Sequence, residues 1–117
     1  MLRFFSTFKN LFMAIYWIYL LLGIIFEVLG TVCMKMADGF SKLWPSVLVF
    51  VFYGACLVFL TLVFKKLDIG VTYAIWAGVG TALTAVIGFV YFHEPVSIIK
   101  ISSIVLIIIG IMGLELS

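Results

Sequence analysis

The sequence predicts an all-α membrane protein with four transmembrane helices. Of its 117 residues, 67% are hydrophobic and only 10% are charged, and the mean hydropathy is +1.41. A soluble domain of this size has too little polar surface in such a balance to cover its apolar surface, so lipid is the solvent for most of the chain. The apolar residues fall into four runs, each near the ~20 residues that a helix needs to cross a hydrocarbon core of ~30 Å. The breaks between runs are only a few residues long, which forces an up-down bundle in a single domain.

Residues 1–15 form a mildly basic, aromatic N-terminal leader carrying Arg3 and Lys9. It reads either as an interfacial segment or as the product of an upstream start, since Met13 directly precedes the first apolar run. A cleaved signal peptide is disfavoured, because the run behind it is long, holds a carboxylate and lacks a small-x-small cleavage pattern. The remainder, 16–117, forms one four-helix transmembrane domain with expected helices at about 16–35, 44–65, 71–92 and 97–116. The first opens with Tyr16, Trp17 and Tyr19, whose amphipathic rings suit the headgroup level. Asp38-Gly39 marks the first turn. Trp44-Pro45-Ser46 opens the second helix, where a first-turn Pro leaves no backbone bond unmade. Leu67-Asp68-Ile69-Gly70 is the next break. The third run is rich in Gly and Ala, with Gly78, Gly80 and Gly88, residues that permit close helix approach or a kink. His93-Glu94-Pro95 is a polar corner. The fourth run is Ile-rich, and its Ser103 and Gly110 share a face seven residues apart. That face suits a contact with a second protomer or packing within one chain.

Within the first run, YWIYLLLGIIFEVLGTVCMK, a single residue breaks the apolar pattern: Glu27. A helix from Tyr16 places it about 16 Å along the axis, near the bilayer midplane. An ionised carboxylate there costs about 2.5 kcal/mol or more, and such residues mark functional sites by default. Every Lys lies at a helix end, so no spanning segment supplies a cation at that depth. The group that lets Glu27 ionise must then come from outside, as a proton or a cationic ligand. If both compete for one carboxylate, binding either expels the other, which is the minimal chemistry of a proton-coupled antiporter. Aromatic side chains are the natural companions of an organic cation. Tyr53 lies mid-helix in the second run, and Tyr73 and Trp76 share a face of the third. Phe50, Phe52 and Phe59 read as packing or lipid-facing residues.

Other chemistries are disfavoured. His93 is the only histidine, so no Ser–His–Asp or Cys–His arrangement exists, and His93-Glu94 reads as a corner rather than half of a metal site. No phosphate-binding Gly-rich loop is present. Cys33 and Cys56 sit in apolar runs and read as small buried hydrophobes. No enzymatic activity, metal, cofactor or nucleic-acid partner is expected. Even-numbered spans put Arg3, Lys9, Lys65 and Lys66 on one side and Lys35, Lys42 and Lys100 on the other. That is no useful positive-inside bias. Dual insertion, with opposed copies forming an antiparallel dimer, is the expectation, the alternative being a bias set by a partner or by the leader.

These residues resemble the small multidrug resistance family, bacterial four-span exporters that act as antiparallel dimers. The motifs are Glu27-Val28, Gly30-Thr31 and Met34-Lys35; Gly39-Phe40 with Leu43-Trp44-Pro45-Ser46; and Tyr73-Ala74-Ile75-Trp76-Ala77-Gly78-Val79-Gly80. The similarity runs from about Tyr16 to Glu115. It implies that Glu27 binds protons and substrate, one copy per protomer. It also implies that Tyr53, Tyr73 and Trp76 line the pocket, that Trp17 lies near an entrance, and that Gly30 and Thr31 lie one turn from the carboxylate. Gly78 and Gly80 match a conformational hinge, and Ser103 with Gly110 matches a dimer contact, Ser103 standing where Gly is usual. The guanidinium-exporting branch carries Trp three residues after the Glu, where this chain has Gly30, which favours the multidrug branch and bulky cations. The His93-Glu94-Pro95 corner looks more like other branches. The resemblance thus implies proton-coupled efflux of hydrophobic or quaternary-ammonium cations across the bacterial inner membrane, driven by the proton gradient. A guanidinium or polyamine exporter, a heterodimer, and a non-transporting subunit of a larger complex are the alternatives.

Overall fold

A computed structural model of the chain describes the backbone of residues 2–117 and the side chains from Asn10 onward. Met1 and the side chains of Arg3 and Lys9, which bear on the leader's role and the start site, lie outside the described residues. The fold is all-helical: α1 (Leu2–Ala37), α2 (Leu43–Val63), α3 (Ile69–Val90) and α4 (Ile98–Leu116). Each contains a stretch long and apolar enough to cross a membrane.

The largest difference from expectation is at the start of α1. The helix runs back to Leu2 instead of beginning at Tyr16, because no Gly or Pro interrupts residues 2–15. Its 36 residues make about 54 Å of helix, well beyond the ~30 Å core. The other boundaries move by one or two residues. The backbone of α3 already turns helical at Ile69, so Gly70 lies in its first turn and Asp68 is the N-cap residue.

The corners are built from local backbone chemistry. Asp38, Gly39 and Phe40 all have positive φ, and the Ser41 and Lys42 N–H groups both reach back to Ala37 O, at 3.0 and 3.2 Å. Phe40 accepts the strained conformation while its ring stacks on Phe50 at 6.0 Å. At the far end of α3, His93 takes φ +56°, reversing the chain in the manner of a left-handed helix cap. Glu94 N–H then closes on Gly88 O at 3.0 Å. Ser97 caps α4, its Oγ accepting from Lys100 N at 3.1 Å.

The helices are arranged around α1, which packs along α2 on one side and α3 on the other, while α4 approaches α3 alone. Leu20, Ile24 and Val28, spaced at four residues on α1, meet Leu60 and Val63 of α2 in the buried core, and Trp76, Val79 and Ile87 of α3 pack against it. The Phe26 ring is sandwiched between Phe52 and Phe59 at 6.0 and 5.7 Å. Close approach is permitted by Gly23, which lies against Phe59 and the Cys56 carbonyl. No residue of α4 is buried.

Candidate functional site

The α1–α3 seam has a different character. Glu27, Thr31 and Lys35 recur every four residues along α1, and Gly80, Thr84 and Gly88 do so along α3. Helices one and three of an up-down bundle run in the same direction, so the two series face each other as a ladder. They enclose a cavity of about 390 Å³ lined by Glu27, Thr31, Gly80, Thr81, Thr84, Ala85 and Glu94. A second cavity of about 200 Å³ shares Thr31, Thr84 and Glu94 and extends to Lys35, Gly88 and Phe92.

Glu27 is held on one side and open on the other. Thr31 Oγ1 lies 2.9 Å from the Glu27 carbonyl oxygen, 3.3 Å from Oε1 and 2.8 Å from the Tyr53 hydroxyl. Each hydroxyl has one proton to give. The assignment that satisfies the group has Tyr53 donating to Thr31 and Thr31 donating to Glu27. The other carboxylate oxygen, Oε2, is buried and has no hydrogen-bond partner among the described residues. It lies over Gly80, where an added Cβ would come within 2.6 Å of it. A buried, unsatisfied carboxylate oxygen is expensive in any low-dielectric surrounding. Its position in a cavity wall makes it a receptor for a donor or cation brought from outside.

The predicted site residues divide into those that meet and those that do not. Gly30, Thr31 and Tyr53 join Glu27. Gly30 leaves room that the Tyr53 ring occupies: an added Cβ would meet Cδ2 of that ring and lie 2.6 Å from Cε2. This close fit is what brings the Tyr53 hydroxyl to Thr31. Tyr73 and Trp76 make an edge-to-face pair at 5.2 Å and 66°, but neither lines the Glu27 cavity within the single chain. Trp76 packs against the α1–α2 core, its indole Nε1 buried with no hydrogen-bond partner among the described residues, and Tyr73 is exposed. Trp17 stands ten residues before Glu27, about 15 Å along α1. It lines a separate cavity with Leu67, Asp68 and Glu115.

The α3 helix is continuous through Gly78 and Gly80, and each glycine receives a side chain there. Gly80 receives the Glu27 carboxylate, while Gly78 receives Ile107 and Ile111 of α4. Ser103 Oγ donates to its own helix at Ile99 O, 2.7 Å away, and nothing lies within 4 Å of a Cβ placed on Gly110. Sequence reasoning missed Thr81, Thr84 and Glu94. The threonines carried a legible signal, sharing the four-residue rhythm of the small residues around them. Glu94 carried none, because its place in the groove depends on how the corner folds back.

Four helices long and apolar enough to cross a membrane, with one carboxylate of α1 facing the α1–α3 groove, define a multi-pass membrane protein. The chain belongs to the small multidrug resistance family: the family described as Small Multidrug Resistance protein matches residues 15–107. It is similar to the uncharacterised membrane protein YvaE of Bacillus subtilis, with 52% identity over 86% of this chain and 84% of the relative. It is 42% identical to the quaternary ammonium compound-resistance protein QacG of Staphylococcus, over 86% of this chain and 94% of that one. It is also 38% identical to a guanidinium exporter of Yersinia pseudotuberculosis, over 86% of this chain and 97% of the relative.

Proposed function

We propose that the protein exports hydrophobic or quaternary-ammonium cations in exchange for protons. It works by alternating access, as an antiparallel homodimer with both Glu27 carboxylates at one central cavity. The observation that carries this reading is the unpartnered Glu27 Oε2, buried at the wall of the α1–α3 groove. A proton satisfies that oxygen in the empty carrier. An organic cation satisfies it by charge and expels the proton. Because each ligand displaces the other, proton flow down its gradient drives cation release on the outside. Similarity to QacG, a protein named for resistance to such compounds, supports the quaternary-ammonium reading; the room left by Gly30 is taken by the Tyr53 ring. The bare α4 surface, unburied along its whole length in the single chain, supports a second copy as its partner, with Ser103 and Gly110 on that face.

The test is efflux from proteoliposomes under a pH gradient, comparing tetraphenylphosphonium with guanidinium. Transport of tetraphenylphosphonium by the wild type and its loss in Glu27→Gln are expected. Glu27→Asp should keep transport and shift its pH dependence. Transport of guanidinium alone would select the guanidinium-exporter reading. Undiminished proton-coupled efflux by Glu27→Gln would falsify the mechanism.

A further inference from the structure

The groove does not end at Glu27. Its two cavities adjoin, sharing Thr31, Thr84 and Glu94, and Glu94 of the α3–α4 corner lines the same cavity as the Glu27 carboxylate. The corner is shaped to turn Glu94 into that cavity. His93 adopts positive φ, Glu94 N–H bonds to Gly88 O at 3.0 Å, and the Glu94 carboxylate rests on Gly88, where an added Cβ would collide with Oε1. The spacing of the two carboxylates follows from the helix beneath them. Glu27 lies against Gly80 and Glu94 against Gly88, eight residues apart on α3, hence about 12 Å along its axis. Thr84 stands between.

Resting on the transport reading above, we propose that Glu94 is a second cation-binding residue of the groove. It determines specificity by holding the far end of an elongated substrate with two positive groups about 12 Å apart. Two ammonium groups, those of Lys35 and Lys100, stand near Glu94, each residue lining a cavity with it. Lys100 Nζ donates to Pro95 O at 2.8 Å, which ties its ammonium to the backbone of the corner. Lys35 lines the outer cavity from α1 and disfavours a small free cation resting at Glu94 alone. A cation already anchored at Glu27 brings its second charge to Glu94 as an intramolecular event, at high effective concentration, and overcomes that repulsion.

The experiment is calorimetric binding to the purified full chain in detergent. The probes are tetrapropylammonium, which has one charge, and a series of α,ω-bis(trimethylammonium) alkanes of increasing length. For the wild type, affinity along the series should peak where the two charges span the groove. In Glu94→Gln, the ratio of the best bis-cation's affinity to that of tetrapropylammonium should fall about fivefold, the scale of one partly exposed ion pair. Gly88→Ala, which displaces the Glu94 carboxylate without removing it, should lower the same ratio, and it serves if Glu94→Gln fails to fold. A wild-type series with no optimum, or an unchanged ratio in the variants, overturns the role of Glu94. Failure of the wild type to bind tetrapropylammonium at all overturns the transport reading itself.

Discussion

The two sides of α1 solve different problems with the same helix. The α2 side is dry and interdigitated: Leu20, Ile24 and Val28 against Leu60 and Val63, with Phe26 stacked between two more phenylalanines. The α3 side is open and hydroxyl-lined, with a carboxylate oxygen left without a partner among the described residues. In lipid, helices gain little from burying apolar surface against each other, so association relies on close packing and polar contacts. The α2 side takes the packing and fastens the helix. The α3 side is thereby free to stay loose, and a loose seam has room for a ligand. The link between them is the Tyr53–Thr31–Glu27 chain, which ties the orientation of the Glu27 carboxylate to the packed side.

Substitutions on each side should therefore have separable effects. The largest effect on binding is expected from Gly80→Val. It places methyl groups where Oε2 now lies and displaces the carboxylate. Quaternary-cation binding measured by calorimetry should weaken about tenfold, ~1.4 kcal/mol, while thermal stability in detergent changes little. Phe26→Ala should do the reverse. Losing two ring–ring contacts, each about 0.5–1.5 kcal/mol beyond area, lowers stability, and the affinity of the folded fraction for tetraphenylphosphonium stays near wild type. Parallel losses of stability and affinity in both variants would break the division between the two sides. The smallest effect is expected from Thr31→Val, which keeps the shape and removes one hydrogen-bonding hydroxyl worth about 1 kcal/mol. A several-fold loss of cation affinity, with an altered pH dependence of binding, would identify Thr31 as the coupling between the sides. A pure stability loss would make it a packing residue.

Much of this arrangement is legible in the residues. Four apolar runs of membrane-spanning length and the turn residues between them dictate four helices. Glu27 stands out because a carboxylate in an apolar run has no bland explanation. Of the residues expected around it, Thr31 touches Glu27 directly, and Tyr53, seated over Gly30, reaches it through Thr31. Tyr73, Trp76 and Trp17 are expected with them, yet none of the three lines the Glu27 cavity within the single chain. A helical period tells which residues share a face, but not which helix that face meets. The hinge expected at Gly78 and Gly80 lies in an unbroken α3, where the two glycines seat side chains from α4 and α1.

What the sequence determines by itself is local: the helices, their rough ends, the depth of Glu27 and the lack of a membrane-embedded cation to pair with it. These follow from hydropathy, length and backbone stereochemistry within short stretches of chain. Only the tertiary structure decides that α1 stands between α2 and α3, that the Tyr53 ring fills the space above Gly30, and that Glu94 folds back over Gly88 into the groove. Those outcomes depend on steric fits between residues 6 to 53 positions apart, where a missing Cβ on a helix makes room for a side chain from elsewhere in the chain.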